Sequence, residues 1–152
     1  MGWVESLRGQ VVGLDTAPII YLIQDHPIYL PAVRPFFQAL DRGEFRAITS
    51  TVTLLEVLVH PFRRGDVELA QRYRDFLLGS TNLTCMVLSG DIAQEAARLR
   101  SQHNLRTADA IQLATAIHEG ASSFLTNDAG LPSLPTVRML VLDELRSEKP
   151  AP

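Results

Sequence analysis

Four carboxylates stand where a folding chain rarely puts charge: Asp15, Glu56, Asp109 and Asp128. Each is set in, or closes, an apolar segment: VVGLD, TVTLLEVLV, ADAIQLATAI and SFLTND. An unpaired carboxylate taken out of water costs several kcal/mol or takes up a proton. Taken singly, three of them have ordinary structural explanations. Asp15 could cap a helix. Asp109 could sit against the macrodipole in the first turn of one. Asp128 could belong to an Asn-Asp-x-Gly turn. Glu56 is harder to explain, because it is the only charge in VTLLEVLV and its neighbours at i−4 and i+3, Val52 and Val59, are apolar. This predicts little solvent around it. Together, the four groups make chemical sense if a cation holds them.

The rest of the composition removes alternatives. A chain of 152 residues with 46% apolar content can bury one sizeable core. We read residues 1–152 as a single domain with its core at about 11–142, a short N-terminal extension and a flexible tail. No apolar run approaches the roughly 20 residues of a membrane span, and the N-terminus MGWVESLRGQ lacks secretory-signal character. A cytoplasmic protein without membrane contact is expected. Cys85 is the single cysteine, which excludes an internal disulfide and a multi-thiolate metal site; in TCMVLS it reads as a buried core thiol. His26, His60, His103 and His118 show no ligand spacing. The thirteen arginines stand against one lysine, Lys149 in the tail. Chemistry that needs a buried lysine is therefore excluded, including a GK[ST] phosphate loop. Arginine is the main cation left to meet phosphates, although a net charge of −3 gives no basic stripe. Arg42, Arg46, Arg63, Arg64 and Arg106 are the candidates near the expected rim.

The elements that must position the acids follow from patterning. Strands are expected at 11–15, 47–50, 85–89 (CMVLS, buried), 123–126 and 138–142. Helices are expected at 16–24, 32–40, 52–59 (stopped by Pro61), 67–78, from Ser89 or Asp91 to about 103, and from a Thr107 cap to Gly120. Asp25, Asp41, Asp66 and Glu68 fit loops and helix starts, and Asp143, Glu144 and Glu148 fit a solvated C-terminal segment. Strands alternating with helices predict an α/β fold, a parallel sheet with helices on both faces. Such sheets bind ligands beyond the carboxyl ends of their strands, where the strand order reverses. Asp15 and Asp128 end predicted strands, and Glu56 and Asp109 ride helices that begin at the same edge, so one cluster is possible.

In order and spacing, LDTAPIIYLI, TLLEVLV, LRTADAIQLATAI and FLTND closely resemble the PIN-domain nucleases, in particular VapC-type toxins of bacterial type II toxin–antitoxin pairs. The resemblance implies a PIN-like fold, a twisted parallel sheet of about five strands flanked by helices. It implies an endoribonuclease dependent on Mg²⁺ or Mn²⁺ that leaves 5′-phosphate and 3′-hydroxyl ends. An oxygen-only donor set suits such hard ions. Carried over, Asp15, Glu56, Asp109 and Asp128 match the family's acidic quartet, Thr16 the small polar residue after the first acid, and Thr126 and Asn127 those before the last. Asp15, Asp109 and Asp128 would bind the ion directly, and Glu56 through water or a second ion. Thr16, Thr126 and Asn127 would orient them. Expected partners are an RNA substrate, a cognate antitoxin and a second copy of the chain, with the helices at 16–40 and 52–59 as candidate dimer surfaces.

Three other readings compete with this one. A haloacid-dehalogenase-type phosphatase wants an acid two residues after the first, where Ala17 stands, and a lysine. A phosphorylated receiver needs that lysine too. A non-catalytic PIN-like RNA-binding module would keep the fold without turnover.

Overall fold

The computed structural model describes residues 2–147. Lys149 and Glu148 lie outside the described residues. After a 3-10 turn at Glu5–Leu7 come β1 (Val11–Leu14), α1 (Thr16–Ile23), α2 (Leu30–Asp41), β2 (Arg46–Ser50), α3 (Thr51–Arg64) and α4 (Val67–Gly79). β3 (Leu83–Met86), α5 (Gly90–Gln102), α6 (Thr107–His118), β4 (Ser123–Thr126), β5 (Arg138–Val141) and α7 (Leu142–Ser147) follow. The five strands form one sheet in the order β3-β2-β1-β4-β5, with every pairing parallel. The chain winds outward from β1 through β2 to β3, then returns to the other side of β1 as β4 and β5. The order therefore reverses between β1 and β4, and a crevice opens there beyond the strand ends.

Strand alternation divides the core into two layers. Val12, Leu14 and Leu125 face one layer with Phe36, Val57, Tyr73 and Leu142. Phe124 faces the other with Ile92, Leu99 and Leu113 of α5 and α6. Gly13 allows α6 to approach the sheet: a Cβ there would lie 2.6 Å from the Ala116 Cβ and 2.7 Å from a Phe124 ring carbon. Among the described residues no helix is long and apolar enough to cross a membrane.

Several local expectations are corrected. The α3 helix runs through Pro61 to Arg64 and ends at Gly65, whose φ of 65° takes the left-handed cap that glycine favours. Pro61 costs one backbone hydrogen bond so near that end that the helix tolerates it. α2 begins at Leu30 and holds Pro35 within it. CMVLS is not a buried strand: β3 covers 83–86 at the sheet edge, Val87 and Leu88 are exposed, and Cys85 is only half-buried. An edge strand is packed by fewer neighbours than its apolar run suggests. Ser89, not Asp91, caps α5 by accepting from the Ile92 N–H at 3.2 Å. Thr107 does not cap α6; it is the first helical residue, and its hydroxyl accepts from Arg100 at 3.1 Å. The C-terminal segment is not simply solvated. Leu142 and Leu145 anchor α7 in the core, and Asp143 accepts from the Tyr29 hydroxyl at 2.7 Å. At the other end, Trp3 stacks on Phe36 and Leu7 is buried.

Candidate active site

The crevice at the β1/β4 reversal gathers the four acids. Asp15 follows β1, and its backbone N–H bonds the Leu125 carbonyl of β4 at 2.9 Å. It is at once helix cap and site acid. Oδ1 accepts from the Thr16 N–H at 2.8 Å, while Oδ2 accepts from the Thr126 hydroxyl at 2.7 Å. Burial pushes this carboxyl above the usual carboxylate range. The two hydrogen bonds oppose that shift, and the charges of Asp109 and Glu56 add to it. Thr126 is fully buried and also accepts from the Asp128 N–H at 3.0 Å, so one hydroxyl ties the first acid to the last. Asp128 turns its Oδ1 to the Gly130 N–H at 2.8 Å.

Glu56 departs from expectation in one respect. Its side chain is exposed, because α3 buries Thr53, Val57 and Pro61 and leaves Leu55 (64%) and Phe62 (66%) in solvent. The apolar run around Glu56 covers both faces of the helix, and only one is packed. Position is nevertheless imposed on it: Oε1 accepts from the Thr16 hydroxyl at 2.9 Å and lies 3.3 Å from the Gln112 amide nitrogen. Gln112 was missed by sequence reasoning. It is 4% exposed, and its Nε2 donates to Thr16 at 2.7 Å and to Thr53 at 2.8 Å, joining α6 to α1 and α3. The available signal was a lone amide in the apolar stripe of ADAIQLATAI, one helical turn after Asp109. Thr53 in turn lies 2.9 Å from Thr49, whose hydroxyl bonds the Leu14 carbonyl at 3.0 Å.

Asp109 pairs with Arg106 one turn earlier, Nε to Oδ2 at 3.2 Å. The acid is largely buried, whereas Arg106 is 82% exposed. The guanidinium is held further in its charged form by Asp109 first, then by Glu56 and Asp128. Asp15, Glu56, Asp109 and Asp128 all line one cavity of about 280 Å³, with Thr16, Asn127 and Arg106. Ala17, Ile20 and Tyr21 of α1 make its remaining wall. A neighbouring cavity of about 370 Å³ touches Asp128 and Glu144 but none of the other three acids.

The other arginines lie elsewhere. Arg46 opens β2 at the opposite end of the sheet, and Arg42 is paired with Glu44 at 2.6 Å near that end. Arg63 and Arg64 close α3, about 10–12 Å along the axis beyond Glu56. Asn127 faces two ways: its amide nitrogen donates to the Tyr21 hydroxyl at 3.1 Å, and its oxygen accepts from the Asp143 N–H at 3.0 Å. His26 has a local role, its Nδ1 accepting from the N–H groups of Ile28 and Tyr29.

The donor chemistry fits a hard divalent cation: four carboxylates, no thiolate and no imidazole in the cavity. Among the described residues no three acid, histidine or cysteine side chains are already gathered at coordinating distance. Mutual repulsion spreads carboxylates that share a cavity, and Arg106 draws Asp109 toward itself.

Comparison with known proteins agrees with this architecture. Among solved structures, the fold is similar to VapBC2 of Rickettsia felis bound to a fragment of its promoter DNA (TM-score 0.68, 19% identity, 86% of this chain and 98% of that one). It is also similar to a toxin–antitoxin complex of Klebsiella pneumoniae (TM-score 0.63, 26% identity, 84% and 94%). A third is VapC20 of Mycobacterium tuberculosis, a sarcin–ricin-loop-cleaving toxin (TM-score 0.62, 17% identity, 75% and 86%). No curated protein matches the chain. The PIN domain profile matches residues 12–136, a span that runs from β1 past the fourth acid and includes all of the site described above: the chain belongs to the PIN domain family.

Proposed function

We propose that this protein is a Mg²⁺- or Mn²⁺-dependent endoribonuclease that hydrolyses RNA phosphodiester bonds as the toxin of a toxin–antitoxin pair. The observation that carries the reading is the convergence of Asp15, Glu56, Asp109 and Asp128 on one cavity at the reversal of strand order. Asp15, Asp109 and Asp128 would hold the ion directly, and Glu56 through water or beside a second ion. A bound ion of this kind lowers the pKa of water and offsets the charge that develops on the scissile phosphate. The chain's own groups do the positioning. Thr126 fixes Asp15 relative to Asp128. Thr16 and Gln112 hold one oxygen of Glu56 and leave the other for water or ion. Asn127 braces the wall at Tyr21. Arg106, exposed at the mouth, would take a phosphate oxygen of the RNA.

A protein partner is supported by the apolar residues that α3 leaves in solvent, Leu55, Val59 and Phe62, and by the toxin–antitoxin complexes among the similar structures. We assign that partner as a cognate antitoxin, with a homodimer as the working assembly and the cytoplasm as its place of action. An open reading frame just upstream that encodes a short DNA-binding protein would identify the antitoxin.

The deciding experiment compares wild type with Glu56→Gln and Asp15→Asn on RNA, with Mn²⁺ and with excess EDTA. Cleavage is expected only for wild type with metal. Full activity of both variants, or of wild type in EDTA, overturns the reading.

A further inference from the structure

The α6 helix starts on an unusual residue. Arg106 holds its N-cap position, with extended backbone (φ −70°, ψ 155°) and no side-chain hydrogen bond to the first turn. Helices favour Ser, Thr, Asp or Asn there, and a cation at that end opposes the macrodipole. The turn that carries Asp109 therefore needs support from outside its own helix.

That support comes from α5. Arg100, in its last turn, donates from Nε to the Leu105 carbonyl at 3.0 Å and from Nη1 to the Thr107 hydroxyl at 3.1 Å. The two acceptors belong to the residues on either side of Arg106. A guanidinium presents its donors in a rigid planar fork, so both neighbours are held at once. Leu105 is also anchored through its side chain, in the core layer of Leu99 and Leu113. Thr107 has the side chain of a natural cap, yet its hydroxyl meets Arg100 and the helix begins one residue earlier than such a cap would start it. A cation in the last turn of α5 suits that helix's own macrodipole, but that role requires no reach into the next helix. Arg100 does not line the acid cavity; Arg106 does.

We infer that Arg100 is a positioning residue: by clasping Leu105 and Thr107 it aims Arg106 at the cavity mouth and holds it on Asp109. This rests on the nuclease reading, in which Arg106 takes a phosphate oxygen and Asp109 holds the ion. One clamp then has two opposed effects. It strengthens the grip on RNA, and it weakens the grip on metal, because Asp109 is shared between guanidinium and ion.

The test uses the whole chain as wild type, Arg100→Gln, Thr107→Val, Arg106→Gln and the Arg100→Gln/Arg106→Gln double variant. Fluorescence anisotropy in Ca²⁺ measures binding of a short RNA of mixed sequence over a range of salt. A Mn²⁺ titration followed by water-proton relaxation reports the acids, and circular dichroism reports the fold. Arg100→Gln is expected to bind RNA about 2- to 5-fold more weakly and Mn²⁺ about 1.5- to 3-fold more tightly. In the Arg106→Gln background the same change should move neither affinity by more than about 1.5-fold. Arg106→Gln should lower the salt slope by about 0.7, one phosphate contact, and the double variant should lower it no further. Thr107→Val removes one acceptor without changing charge, so it should show the same two signs at smaller size even if Arg100→Gln fails to fold. Equal effects of Arg100→Gln in both backgrounds would make Arg100 an independent charge or phosphate contact and overturn the inference. So would unchanged affinities, or RNA and Mn²⁺ weakening together as in a general loosening of the fold. Wild type that neither binds Mn²⁺ nor cleaves RNA overturns the nuclease reading beneath it, a distinct outcome.

Discussion

Replacing Gly13 by alanine drives a methyl group from the central strand into α6. The new carbon would stand 2.6 Å from the Ala116 Cβ and 2.7 Å from a Phe124 ring carbon. Carbon atoms rest at about 3.5–4.0 Å, so roughly 1 Å must be recovered on two sides. The Ala116 Cβ is fixed to a helix backbone and cannot rotate away, and Phe124 is fully packed. Overpacking of this kind costs about 1–3 kcal/mol. The loss of unfolded-chain freedom returns about 0.4–1 kcal/mol, which leaves a net destabilisation of roughly 1–2 kcal/mol. Urea unfolding should show the midpoint falling by about 0.5–1 M for a slope near 2 kcal/mol/M. Adding Ala116→Gly removes one of the two clashes, so a double-mutant cycle should give a favourable coupling between positions 13 and 116. Catalysis should suffer beyond stability, because β1 leads into Asp15 while α6 carries Asp109 and Gln112. A Gly13→Ala protein as stable as wild type, or zero coupling with position 116, would refute the close-approach reasoning.

Three further outcomes are expected. Arg106→Gln frees Asp109 from its ion pair and should tighten Mn²⁺ binding about 1.5- to 5-fold, the worth of an exposed pair, while weakening RNA binding; calorimetry showing unchanged or looser Mn²⁺ binding would contradict the role. Gln112→Leu leaves the Thr16 and Thr53 hydroxyls without their donor and should cost about 1–3 kcal/mol in denaturant unfolding, with kcat reduced more than KM is raised; no change in either would contradict it. Burial holds the Asp15 carboxyl high, so the folded chain binds that proton more tightly than the unfolded chain. Metal-free stability should therefore fall as pH rises from about 4 through the folded-state value, with the penalty fully present above it. Asp15→Asn should raise the metal-free thermal midpoint at neutral pH, flatten that slope and abolish stabilisation by Mn²⁺. A lowered midpoint and an unchanged slope would count against it.

The elements that position the acids were legible because their signals are local. Asp15, Ser50 and Asp66 each cap the helix that follows, and the period of the apolar residues marks strand and helix. What was not legible depends on what lies across a gap. The apolar residues of TVTLLEVLV read as a surround for Glu56, but periodicity says which face is apolar and not whether anything packs against it. CMVLS looked buried for the same reason, since nothing in the segment announces an edge strand. Arg42 and Arg46 seemed near the rim because they flank β2, yet in a parallel sheet the start of a strand lies at the far end from its ligand edge. Gln112 is visible as an oddity but acquires meaning only when Thr16, Thr53 and Glu56 arrive from three other elements. Leu142 and Leu145 did carry a helical spacing, which the acids of DELRSE obscured.

The reversal of strand order has a consequence for timing. β1 and β4 lie side by side, yet more than a hundred residues of chain separate the acids they carry, Asp15 and Asp128. A nascent chain that has emerged only through α6 already holds Asp15, Glu56 and Asp109, but β1 still lacks the neighbour on which its acid leans: Leu125 for the Asp15 N–H and Thr126 for its carboxylate. The cavity closes only when β4, which opens about the last fifth of the sequence, docks against the first strand. The acid cavity is thus incomplete until β4 has been made, and the strands that come late in the chain are the ones that finish it.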